Sequence, residues 1–199
     1  MKILLLLLSL ISSVFALSIN DTLLKVHATL VPKIYLMDYK FQDKLKNNTI
    51  TIAIMYHGND YRDAKKLKNL ILSRYENGIK SYKVEPKIVN YKEIQRVEAN
   101  IYYLLPTVSQ EIKEVVKKAD TNDALTFSYL RDDLKHGVMI SLNVSKKIKP
   151  LLNLSAIKSH KIVFRPVLID ISTIYNKDLE STLHDISIKD FHFYRVYQV

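Results

Sequence analysis

The run Thr49–Tyr56, TITIAIMY, is β-branched or apolar at almost every position. A strand with one face in water alternates polar and apolar side chains; a strand buried on both faces has no need to. A chain carrying such a segment must cover both sides of a sheet, and helices are the usual cover for a parallel one. Asn100–Leu105, NIYYLL, repeats the pattern and is closed by Pro106. Ala124–Tyr129, ALTFSY, and Val138–Val144, VMISLNV, continue the series.

Helical periodicity fills the spaces between these runs. Asp21–Asp38 places Leu23, Leu24, Val31, Ile34 and Tyr35 at helical spacing, with Asn20 or Asp21 able to cap it. Pro32 should kink this helix or begin a second one. Asp60 can cap a helix reaching about Tyr75, whose Ala64, Leu67, Leu70 and Ile71 share a face, and Asn77-Gly78 end it. Tyr82–Val89 reads as a weaker strand, and its Pro86 puts it near an edge. Ser109 opens a helix with Ile112, Val115, Val116 and Ala119 inward, and Leu130–His136 is a short helix or turn broken by Gly137. Strand, helix, strand, helix builds an α/β fold: a single three-layer domain with a mainly parallel sheet flanked by helices.

One stretch breaks the alternation. Only Ser145-Lys146-Lys147 separates Val138–Val144 from Ile148–Leu154. A parallel crossover needs about a dozen residues, so these strands should form an antiparallel hairpin that ends the sheet. Pro150 suggests that the second is an edge strand. Beyond it, Pro166 can open a helix with Val167, Leu168, Ile171 and Ile174 or Tyr175 inward. The β-branched content there also suits a strand; the helix is favoured.

The N-terminus reads MKILLLLLSLISSVFA. Lys2 precedes an apolar core, and Val14-Phe15-Ala16 offers small side chains at a cleavage position. The core is shorter than the roughly 20 residues of a spanning helix. Residues 1–16 are therefore expected to be a cleaved secretory signal, the alternative being an uncleaved anchor, with the domain over 17–175 and a C-terminal extension over 176–199. The chain has no cysteine. It is long enough to build a core without disulfides, which small extracellular domains usually need, and a bacterial periplasmic location follows.

The net charge is +10, with 24 Lys against 6 Arg. Nucleic-acid and phosphate sites favour the planar fork of Arg, and no nucleic-acid motif is present, so nucleic acid is not an expected partner. From Leu134 to Ile169 there are seven Lys or Arg and no Asp or Glu. Such a basic stretch is most simply a solvated face, and otherwise suits anionic lipid or an acidic partner.

Catalytic signatures are missing. The six His make no tight metal spacing, and Ser159-His160 and Ser181 lack the G-x-S-x-G elbow. His184, Asp185, Asp190 and His192 cluster in the tail, where solvation explains them. No cofactor motif, metal set or catalytic residue is assigned. His57, Gly58 and Asn59 lie after a buried strand and before a helix, where open α/β sheets bind ligands, although a turn and a cap account for them equally. Lys146, Lys147 and Lys149 on the hairpin can steer a partner.

The hairpin region carries a resemblance. Gly137, Met139, Ile140, Leu142, Ile148, Asn153, Leu154 and Ala156 match the pattern of the YfiR-like family of bacterial periplasmic proteins: a glycine-led apolar strand with a Met-Ile pair, a charged hairpin, and an N-L-x-A run entering a helix. The resemblance spans Asp21 to about Tyr175 and is distinctive over Gly137–Ala156. It implies regulation without catalysis: a periplasmic protein, dimeric in its best-known relatives, that binds the periplasmic part of a membrane-bound diguanylate cyclase or sensor kinase. A small periplasmic solute-binding module for a transporter or sensor is the alternative.

Overall fold

The computed structural model describes residues 19–160 and 162–176. Seven strands form one sheet: β1 (Thr49–Tyr56), β2 (Lys83–Asn90), β3 (Ile101–Leu104), β4 (Leu125–Ser128), β5 (Ile140–Val144), β6 (Ile148–Leu152) and β7 (Thr173–Ile174). Their order is β2-β1-β3-β4-β5-β6-β7. All neighbours are parallel except β5 and β6. The helices are α1 (Asp21–Tyr35), α2 (Tyr61–Arg74), α3 (Ser109–Thr121), α4 (Leu154–Lys158) and α5 (Pro166–Ile171).

The apolar runs are double-sided, as their composition requires. Ile50, Ile52 and Ile54 of β1 face a core shared with α1 and α2, while Ala53 and Met55 face a second core under α3. Tyr103 and Tyr102 divide in the same way on β3. The result is the expected three-layer α/β domain. Pro86 lies in β2, which is indeed an edge. Among the described residues no helix is long and apolar enough to cross a membrane.

The three-residue connection produces the antiparallel pair: Ile140 opposes Leu152, Leu142 opposes Pro150, and Val144 opposes Ile148. Side-chain bonds support the pair where the ladder is thin. β4 and β5 share only the Phe127–Ile140 position, and the Met139 N–H donates to Thr126 Oγ1 at 2.9 Å. Buried Asn153 donates through Nδ2 to the Leu134 carbonyl at 2.9 Å and accepts the Ala156 N–H on Oδ1 at 3.1 Å, capping α4. Gly137 ends the 3₁₀ turn Arg131–His136 at φ 97°, with the place of a Cβ 3.3 Å from a Val116 methyl.

Four expectations are corrected. β6 is not an edge throughout, because β7 pairs with Leu151 and Leu152; the edge holds only as far as Pro150, which has no N–H to offer. The helix opened by Pro166 exists, but only Leu168 is buried, and Val167 and Ile171 are exposed. The six-residue helix is too short to turn a wide apolar stripe inward. Asp60 stands at the N-cap of α2, yet its side chain makes no capping bond. Pro32 does not begin a second helix: it sits inside α1 near its end, and the helix runs on through it to Tyr35. The secretory signal and the tail His184, Asp185, Asp190 and His192 lie outside the described residues.

Candidate functional site

The strand order reverses between β1 and β3: the chain winds from β1 outward to β2, then returns to continue through β3 and β4. In doubly wound sheets the loops beyond the carboxyl ends of the strands at such a point are splayed apart, and ligands bind there. Here the mouth is formed by the 3₁₀ turn Gly58–Asp60 after β1, the segment 105–108 after β3, and the turn Arg131–His136 after β4.

The polar groups at this mouth are paired across elements. His57 Nδ1 lies 3.2 Å from Glu111 Oε1 on α3, and the Thr107 hydroxyl donates to the other carboxylate oxygen of Glu111. Ser109 Oγ and His136 Nε2 are 3.2 Å apart. Beneath them the Tyr91 hydroxyl donates to the Leu105 carbonyl at 2.7 Å, and Ser128 Oγ donates to Asp133 Oδ2 at 2.5 Å. Burial holds the Tyr91 phenol well above its usual range, helped by the carboxylates of Asp133, Glu111 and Asp60. Burial also raises Asp133, against the Ser128 hydrogen bond, and raises Asp60, where Asp63 adds to the effect. His136 is held low by burial and then by Lys135 and Lys113.

Chemically, Ser109–His136 is a hydroxyl–imidazole pair without the acidic orienting partner that a triad needs, among the described residues. No group of three His, Asp or Glu there is placed to hold a metal ion. Two exposed side chains flank the polar pairs. Tyr61 is 50% exposed and rests edge-on against Tyr56, with ring centroids 5.3 Å apart; Val108 is 65% exposed.

Of the residues singled out in sequence, His57, Gly58 and Asn59 are at the switch-point mouth, and all three are exposed. The hairpin lysines are elsewhere. Lys147 and Lys149 line an apolar groove of about 430 Å³, to which α1 contributes Leu30 and Ile34, the turn after it Met37, and α5 Leu168 and Ile171. Lys33 of α1 joins the two hairpin lysines there; Lys146 stands at the turn, outside the lining. The six residues are therefore two separate sets. Nothing local in the sequence points to Glu111 and Thr107 as partners of His57, which lies about fifty positions before them. The groove is equally hidden in sequence, because α1 and the hairpin are more than a hundred residues apart.

No family model matches the chain, and no curated protein matches it. Among solved structures, the chain is similar to a conserved domain protein from Vibrio cholerae, with a TM-score of 0.55 and 12% identity over 77% of this chain. The chain spans 60% of the length of that structure. It is also similar to the ABC domain from Streptococcus pneumonia in complex with L-Trp, with a TM-score of 0.47 and 11% identity, covering 71% of this chain and 62% of that one. At 12% identity the likeness to the Vibrio cholerae structure establishes the α/β fold alone.

Proposed function

We propose that this chain is a periplasmic regulatory protein of the YfiR-like kind. It binds the periplasmic portion of a membrane-bound signalling protein, a diguanylate cyclase or a sensor kinase, and controls its activity without catalysing a reaction. The observation that carries this reading is the switch-point mouth. Its His57–Glu111 and Ser109–His136 groups are paired, and an aromatic and an aliphatic side chain, Tyr61 and Val108, stand exposed beside them. Exposed aromatic anchors beside polar pairs are what protein interfaces use. The resemblance over Gly137–Ala156 supports the same assignment.

Control would be a population shift. The protein stabilises whichever state of its partner it binds more tightly. Moving an evenly divided partner to 99:1 takes about a hundredfold preference, roughly 2.7 kcal/mol. Capture of the partner from solubilised membranes, with cyclic-di-GMP and kinase output measured after deletion, tests this. A deletion that changes neither output rejects the regulatory role.

The position of His57 and Glu111 at the reversal of strand order favours a second reading, a small solute-binding module for a transporter or sensor. That reading requires the thermal midpoint to rise with a cognate solute and the rise to vanish in Glu111→Gln. A midpoint indifferent to amino acids, sugars and organic acids rejects it.

A further inference from the structure

Seven of the eleven large apolar side chains exposed among the described residues fall between Val144 and Ile174. That concentration marks a surface separate from the switch-point mouth. Val144 opposes Ile148 across the β5–β6 pair, so both side chains leave the same face of the sheet. Ile148 lines the groove, and so does Ile171 of α5. Val167 lies one helical turn before Ile171 and shares its side of the helix. These four side chains are 40–57% exposed.

The charges lining the groove have one sign, and Asp170 beside Ile171 is the exposed acid nearest them in the chain. Lys33, Lys147 and Lys149 are the charged residues lining the groove, and no acidic residue lines it. Lys146 caps the hairpin turn, and the stretch from Leu134 to Ile169 holds seven cations and no anion. The groove cations are all Lys, point charges on long apolar stems. Such stems can lie along apolar surface while the ammonium reaches for a charged layer above it.

We propose that this lysine-ringed apolar face docks the protein on an anionic lipid surface. Ile148 and Ile171, with Val144 and Val167 beside them, enter the interface, and Lys33, Lys146, Lys147 and Lys149 meet the headgroup phosphates. Lipid fits better than a single acidic protein segment. A segment lying in the groove would have no use for Val144 and Val167, which stand outside its lining, whereas an interface takes up apolar side chains from several elements at once. The proposal does not depend on the regulatory role.

The test is flotation of the full-length protein, in the processed state its host gives it, with vesicles of phosphatidylcholine alone or with one quarter phosphatidylglycerol. Binding is expected only on the mixed vesicles and is lost as NaCl rises from 0.1 to 0.5 M. Each lysine near an anionic surface contributes about 1 kcal/mol, so Lys147→Gln/Lys149→Gln should lower the partition about 30-fold. Ile148→Ser should weaken it separately, and both variants should keep the parent thermal midpoint. Failure to float on the mixed vesicles overturns the proposal, as does equal binding to pure phosphatidylcholine or binding indifferent to the lysine pair. If the lysine variant abolishes signalling in cells although the parent never floats, the face takes an acidic protein and the lipid assignment is wrong. If flotation follows the prediction while deletion leaves cyclic-di-GMP and kinase output unchanged, the lipid face stands and the regulatory role falls.

Discussion

His27 Nδ1 and the Tyr103 hydroxyl lie 2.9 Å apart between α1 and β3, where neither side chain reaches solvent. The imidazole is boxed by the rings of Tyr103, Phe127 and Tyr129, at centroid distances of 5.3–5.6 Å, and its Nε2 has no partner. Burial pushes the His27 pKa down to about 3 from an ordinary 6.5. Protonation then favours the unfolded chain. Stability from a neutral His27 is fully present above pH 6.5 and falls as the pH drops from 6.5 toward 3. Urea unfolding should show about 2 kcal/mol lost between pH 7 and pH 5 from this residue alone. His27→Phe should flatten that part of the profile. A profile unchanged by the substitution would show that His27 is not the group responsible.

Asp38 is a buried carboxylate that ties the end of α1 to the segment before α5. Oδ1 accepts the N–H groups of Lys40 and Val163, both at 3.1 Å, and Oδ2 pairs with Lys44 Nζ at 2.8 Å. Nearby backbone bonds from Tyr39 to Val163 and from Arg165 to Met37 complete the clamp. Asp38→Ala removes the carboxylate that joins Lys40, Lys44 and Val163, two partly buried N–H bonds and one ion pair, so it should cost about 1 to 3 kcal/mol. Hydrogen exchange should speed up first at the Val163 amide. Equal protection of that amide in parent and variant would show that the clamp does not hold the segment.

Gly78 and Gly137 both adopt positive φ but differ in what a methyl group would meet. At Gly78, φ +73°, a Cβ would sit 2.4 Å from the Tyr82 carbonyl oxygen, inside the turn closed by the Ile79–Tyr82 bridge. At Gly137 the neighbour is a Val116 methyl that can rotate away. Gly137→Ala should cost about 1–2 kcal/mol, the ordinary left-handed penalty. Gly78→Ala should cost more, because backbone has to move. Urea midpoints of the two variants decide the order.

Legibility in sequence followed how local each signal was. Thr49–Tyr56 announced a doubly buried strand because eight adjacent residues carry the information, and the hairpin was forced by a connection too short for anything else. β7 escaped because two residues have no period to detect, and its pairing with Leu151 and Leu152 is a tertiary fact. Val167 and Ile171 have the composition of core residues, and only packing shows that α5 leaves them outside. Within the candidate site, His57 could be placed after a strand, but its carboxylate partner is 54 positions away on another helix. A still longer separation hid the groove: Ile34 reads as part of an inward helix face, with nothing local to say that Ile148 and Pro150 lie across from it.

Tyr61 and Val108 offer the cleanest separation of binding from folding. Each side chain is at least half exposed, on elements whose buried faces lie elsewhere: Ala64, Leu67 and Ile71 for α2, and Ile112, Val115 and Ala119 for α3. Tyr61→Ala gives up the edge contact with Tyr56, and Val108→Asp places a carboxylate beside the first turn of α3. Neither opens a cavity, so each should shift stability by about 0.5 kcal/mol or less. At an interface, loss of an aromatic anchor typically costs about 2 kcal/mol or more, some thirtyfold in affinity, and an unpaired carboxylate at its centre costs a similar amount. The double variant should therefore fold with the parent thermal midpoint, fail to retain the membrane-bound partner, and reproduce the deletion phenotype in cyclic-di-GMP or kinase output. A variant that keeps full control with an unchanged midpoint would place the partner surface away from the switch point.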